Sequence, residues 1–156
     1  MFANNIEQIS TGRPPVRPAR KTAAKRTGDR TAHALRVLIV EDEIFVAWHL
    51  ESLVHDLDYS VCGMLPDGEG AVAKAEALGA DVILMDINLK GQIDGVEAAR
   101  RIRETFDAPI IFITAYSDPK TLGRIQNAVP GATVLAKPVA VGRLRMAIAD
   151  ALKDAA

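Results

Sequence analysis

The chain has a single cysteine, Cys62, in 156 residues. No intramolecular disulfide can form, which excludes a secreted disulfide scaffold and a cysteine-rich zinc module. Long apolar runs are missing too: unbroken hydrophobic stretches last only a few residues, far short of a membrane span. The N-terminus lacks the apolar segment of a secretory signal. Histidine is scarce: His33, His49 and His55 all fall away from strand ends. His49 and His55 lie about a turn and two-thirds apart on one helical stretch, so they share no face and make no zinc pair. Hydrophobic residues make up 49% and charged residues 25%, the proportions of a soluble globular protein. The length suits one domain with one sizeable core. These features predict a cytoplasmic, soluble, single-domain protein.

A net charge of −1 conceals two opposite parts. Residues 1–36 hold eight basic side chains (Arg13, Arg17, Arg20, Lys21, Lys25, Arg26, Arg30 and Arg36) against Glu7 and Asp29, a balance of +6. The remainder of the chain sums to −7. Residues 1–34 include Pro14, Pro15 and Pro18, carry few large apolar side chains, and show neither helical nor strand periodicity. This pattern predicts a flexible basic arm, ahead of a domain spanning 35–156. The plain reading is a solvated tail. The functional readings are contact with nucleic acid or anionic lipid, or an arm exchanged in a homodimer. With Phe2 as its lone aromatic and no amphipathic stripe, the arm offers little for base stacking or membrane insertion.

From Leu35 onward the texture changes. Short apolar runs fall at Leu35–Val40, Tyr59–Met64, Val82–Met85, Ile110–Ile113 and Thr133–Leu135. Stretches with helical spacing lie between and after them, at 43–57, 68–78, 94–105, 118–128 and 140–153. In the first, Val46, Leu50, Leu53, Val54 and Leu57 share a face; in the last, Leu144, Ile148 and Leu152 do. Five strands alternating with five helices predict a doubly wound α/β fold with a parallel sheet covered on both faces. Continuous rather than alternating hydrophobicity in the strands fits a sheet with no wet face. Cys62 reads as a small core residue of the second strand, and Trp48 as a half-buried side chain beside the first helix's apolar stripe. Gly68 and Gly70 lack the strand–loop–helix setting of a phosphate loop.

In open α/β sheets, ligands bind beyond the carboxyl ends of the strands. Glu41 and Asp42 follow the first strand, Asp86 and Asn88 the third, Thr114 the fourth and Lys137 the fifth. Three carboxylates, a hydroxyl and an ammonium therefore converge on one edge. Neighbouring carboxylates repel, and one takes up a proton unless a cation intervenes. An oxygen donor set without histidine or cysteine suits a hard cation, Mg²⁺. Lys137 and Thr114 opposite such an ion complete a cradle for a phosphoryl group, and a carboxylate inside it can be the nucleophile. The bland alternative makes Lys137 the counter-ion of a structural acidic pocket. It accounts for one residue, not for the placement of all at strand ends.

Four segments carry a resemblance. Val37-Leu38-Ile39-Val40-Glu41-Asp42-Glu43, Val82-Ile83-Leu84-Met85-Asp86, Ile111-Phe112-Ile113-Thr114-Ala115 and Leu135-Ala136-Lys137-Pro138 together resemble the signatures of a response regulator receiver domain. The resemblance covers about residues 35–155, and the set of four is far more specific than any one. It implies a flavodoxin-like sheet of order 2-1-3-4-5 and phosphorylation of Asp86 by a sensor histidine kinase. It implies that Asp42, Asp86 and the Asn88 carbonyl bind Mg²⁺ directly, with Glu41 acting mainly through water. Thr114 and Lys137 then bind the phosphoryl oxygens, and Lys137–Pro138 is a candidate cis bond. The first helix commonly meets the kinase in this family, which gives Trp48 a possible role at a partner surface.

The sequence departs from the family pattern in two places. The run Asn88-Leu89-Lys90-Gly91-Gln92-Ile93-Asp94-Gly95 lacks the usual proline after the phosphoacceptor and has one extra residue. Val134 stands where many receivers have a mobile tyrosine or phenylalanine, so either Tyr116 is the mobile aromatic or the switch works without one. The run Phe112-Ile113-Thr114-Ala115-Tyr116 is most similar to atypical receivers of alphaproteobacteria. With few residues after the last helical stretch, the expected protein is a single-domain response regulator signalling through its own surface. The alternatives are a phosphorylation-independent receiver-like adaptor and an aspartyl-phosphate phosphohydrolase. The latter needs an acid two residues after the nucleophile, where this chain has Asn88.

Overall fold

The computed structural model describes residues 34–115 and 118–155. All of the basic arm except Ala34, together with Tyr116, lies outside the described residues. In chain order the elements are β1 (Arg36–Val40), α1 (Ile44–Asp56), β2 (Ser60–Leu65), α2 (Gly68–Leu78), β3 (Val82–Asp86), α3 (Gly95–Thr105), β4 (Ile110–Thr114), α4 (Pro119–Ala128), β5 (Thr133–Ala136) and α5 (Val141–Asp154). The strands form one parallel sheet of order β2-β1-β3-β4-β5, as the resemblance implies.

Alternate strand residues serve two separate cores, which is why the strands read as unbroken apolar runs. Leu38, Val40, Ile83, Met85, Ile110 and Phe112 pack with Ala71, Ala75, Val96, Ala99, Ile102 and Ile125 of α2, α3 and α4. Val37, Ile39, Val82, Leu84, Ile111 and Ile113 point the other way, onto Ala47, Leu50 and Val54 of α1 and Leu144, Ala147 and Ile148 of α5. Each fully covered Leu or Ile contributes about 2 kcal/mol in transfer free energy.

Three helices start on aspartate caps. Asp67 accepts from the Gly70 N–H at 2.6 Å, Asp94 from Glu97 at 2.9 Å and Asp118 from Thr121 at 3.0 Å. Such caps are worth about 1 kcal/mol each. Because the caps stand outside the helices, α3 and α4 begin one residue later than the apolar spacing suggests.

One expectation needs correction. Cys62 is half-buried, packed against the edge of the core beneath α2, α3 and α4 rather than inside it. It sits on edge strand β2 at a register shift, where Val37 pairs with Val61 but Leu38 pairs with Gly63, so Cys62 is the extra residue of a bulge. Trp48 is 52% exposed and meets the 77% exposed Phe45 edge-on, ring centroids 5.6 Å apart. As expected, Trp48 lies beside the buried stripe of α1, which runs through Ala47, Leu50, Leu53 and Val54. No helix among the described residues is long and apolar enough to cross a membrane.

Candidate functional site

Strands β1, β3, β4 and β5 lie side by side and end at one edge of the sheet, so each delivers its next polar residue to the same place. Asp86 is the last residue of β3 and Thr114 the last of β4; both are buried, as is Glu41 just past β1. Lys137 follows β5, its backbone N–H donating to the Thr114 carbonyl at 2.8 Å. The Lys137–Pro138 bond is cis. Asp42 is half-buried beside Glu41, whereas Asn88 is exposed.

The Lys137 ammonium donates to Glu41 Oε2 at 2.7 Å and lies 3.2 Å from Asp86 Oδ1. Carboxylate oxygens of Glu41, Asp42 and Asp86 all lie within 4.8 Å of one another. Burial pushes the Asp86 carboxyl above its usual range, with Lys137 opposing the shift. Glu41 is raised by burial as well, against its hydrogen bond from Lys137. Burial pulls the Lys137 ammonium down, but Glu41 and Asp86 outweigh it and hold the group protonated. One half-buried ammonium thus serves two buried carboxylates, while Asp42 adds a third carboxylate. The pocket carries excess negative charge and offers oxygen donors without nitrogen or sulfur, which fits a hard divalent cation. Ion pairing of the kind the bland reading requires does form at Lys137, while Asp42 has a looser partner in Lys90.

Several residues that support the site escaped the sequence reading. The Gly95 N–H donates to the Ile87 carbonyl at 2.9 Å, drawing the start of α3 onto the end of β3. A Cβ on Gly95 would overlap the Asp86 carbonyl oxygen and lie 2.8 Å from its carbon. Glycine is therefore required there for close approach, not for an unusual dihedral angle. The loop 88–94 hangs between two carboxylates. Asp42 Oδ2 accepts the Lys90 N–H at 3.3 Å, with the Lys90 ammonium 3.9 Å away. On the other side, Glu69 Oε1 accepts the Gln92 N–H at 2.6 Å. The backbone donors around Glu69, its own N–H and those of Gln92 and Ile93, hold that carboxyl below its ordinary range. Gly91, at φ 137°, lets the chain turn between the two anchors. Asp94, the cap of α3, also takes Arg124 of α4 at 2.6 Å. Lys90 and Glu69 lie 48 and 23 positions from Asp42 and Gln92, so no local pattern announces these contacts.

Comparison with known proteins agrees with this geometry. The family model described as the response regulator receiver domain matches residues 37–149. The transcriptional regulatory protein PdtaR of Mycobacterium tuberculosis H37Rv is 35% identical over 114 residues, 72% of this chain and 54% of that protein. The phyllosphere-induced regulator PhyR of Methylorubrum extorquens AM1 is 36% identical over 120 residues, covering 76% and 44% respectively. The chain thus spans about half the length of these curated relatives. A crystal structure of the receiver domain of the sensor histidine kinase PA1611 from Pseudomonas aeruginosa PAO1, with a magnesium ion coordinated in its active-site cleft, superposes with a TM-score of 0.69. It is 30% identical, and the match covers 78% of this chain and 99% of that one. With four strand ends delivering acid, acid, hydroxyl and lysine in the family's order, and the family model spanning 37–149, the chain belongs to the response regulator receiver domains of two-component signalling.

Proposed function

We propose that this receiver accepts a phosphoryl group on Asp86 from the phosphohistidine of a sensor kinase, in a Mg²⁺-dependent reaction, and signals by a change of its own surface. The observation carrying the proposal is the buried Asp86 at the end of β3, with the Lys137 ammonium 3.2 Å from Oδ1 and oxygens of Glu41 and Asp42 within 4.8 Å. In the transfer, an Asp86 carboxylate oxygen attacks phosphorus while the P–N bond breaks, its electron pair leaving on the imidazole. Lys137 turns from its carboxylate partners toward the phosphoryl oxygens, and the Thr114 hydroxyl donates to another. Asp42, Asp86 and the Asn88 carbonyl would hold Mg²⁺, with Glu41 acting through water. When bound, the ion offsets the charge of the incoming phosphoryl group against that of the carboxylates.

Phe45 and Trp48 stand exposed on the first turns of α1, immediately after Glu41, Asp42 and Glu43. That position suits them to grip the helical surface around a kinase histidine. Phosphorylation then shifts a pre-existing equilibrium of the α4–β5–α5 face. Val134, half-buried against the core beneath α2, α3 and α4, leaves that shift without the usual aromatic at this position. The proposal extends to a basic arm at 1–34 that modifies the output, by pairing two copies or, less favoured, by touching nucleic acid. Transfer of label from phosphorylated histidine kinases to wild type, and its absence with Asp86→Ala, tests the central step.

A further inference from the structure

We infer that Lys90 is a displaceable occupant of the metal site, and that its ammonium sets the threshold Mg²⁺ concentration by competing for Asp42. The inference rests on the metal reading proposed above. Three carboxylates face two lysines here. Lys137 is engaged with Glu41 and Asp86, whereas Asp42 takes contacts from Lys90 twice, by the backbone N–H at 3.3 Å and by the ammonium at 3.9 Å. The arrangement is built into the loop rather than left to a wandering side chain. Glu69 fixes the far side through Gln92, and Gly91 at φ 137° turns the intervening chain so that the Lys90 amide faces Asp42. Asp42 is only 11% exposed in its side chain, but Lys90 is 87% exposed and can swing into solvent at little cost.

A cation that takes Asp42 Oδ2 therefore competes with the Lys90 ammonium for that oxygen. Lys137 is only 19% exposed in its side chain and is held between two acids, so it is the fixed charge of the pocket. Lys90 is the exchangeable one. An exposed ion pair of this kind is worth little, so replacing the ammonium should tighten Mg²⁺ by about 1.5- to fivefold. The effect must fade with salt, because the group that causes it is open to screening.

Mg²⁺ titrations of the full chain, followed by backbone amide NMR shifts, test this on wild type, Lys90→Gln and Lys90→Arg. Expected are a lower Kd for Lys90→Gln, a Kd for Lys90→Arg within about twofold of wild type, and convergence of all three near 1 M salt, where screening acts over about 3 Å. A Lys90→Gln Kd equal to or weaker than that of wild type overturns the inference and leaves the metal reading intact. Failure of all three proteins to shift overturns both.

Discussion

The Lys137 ammonium bridges strands that are not neighbours in sequence, lying 3.2 Å from Asp86 Oδ1 while donating to Glu41 at 2.7 Å. It keeps two buried acids compatible with one pocket, and in the proposed transfer it meets the phosphoryl oxygens. Removing such a preorganised donor costs about a hundredfold in rate. Lys137→Met should therefore lose phosphoryl uptake by about that factor while circular dichroism still reports a folded chain. Uptake within a fewfold of wild type would make Lys137 a counter-ion only, as the bland reading has it.

Gly95 and Gly123 make a matched pair. A Cβ at Gly95 strikes the backbone of Asp86 and Ile87, which cannot yield without moving the end of β3. Overpacking against backbone costs about 3 kcal/mol or more. Nothing lies within 4 Å of a Cβ at Gly123, inside α4. There alanine should stabilise by about 0.5–1 kcal/mol. Urea denaturation of Gly95→Ala and Gly123→Ala checks both signs.

Burial raises the pKa of Asp86, so the folded chain holds that proton more tightly than the unfolded chain. The ionised group therefore costs stability at neutral pH, and the cost disappears below its unfolded pKa of about 4. With a chelator present, Asp86→Asn should melt above wild type at about pH 7.5, and the gap should close as the pH falls toward 4. A gap that widens on acidification would contradict a raised Asp86 pKa.

Mg²⁺ that binds only the folded chain must raise its melting temperature. At ten times Kd the gain is about 1.4 kcal/mol. Asp42→Asn should abolish most of that gain without lowering the metal-free melting temperature by more than a degree or two. Thermal melts with and without Mg²⁺ read both quantities.

The architecture was legible because strand residues such as Val37 and Leu38 are apolar in both directions, which only a doubly covered sheet explains. Glu41, Asp42, Asp86, Thr114 and Lys137 were legible because each follows or ends an apolar strand, and parallel strands bring such residues to one edge. Gly95 was hidden: its role is a backbone clearance, and a glycine after an aspartate reads first as a cap or a turn. Lys90 and Glu69 were hidden because their partners are reached through the fold rather than along the chain. The bulge at Cys62 was invisible for a similar reason, since it exists only in the register with β1. Trp48 was legible as a neighbour of the apolar stripe of α1, because the helical spacing sets it off that face, and it is 52% exposed.

The most direct measurement of the central claim is intact-mass spectrometry after incubation with acetyl phosphate, with and without Mg²⁺, on wild type and Asp86→Ala. The account predicts a gain of one phosphoryl group in the wild type alone, and only with Mg²⁺. Equal uptake by Asp86→Ala, or uptake unchanged by chelation, would contradict it.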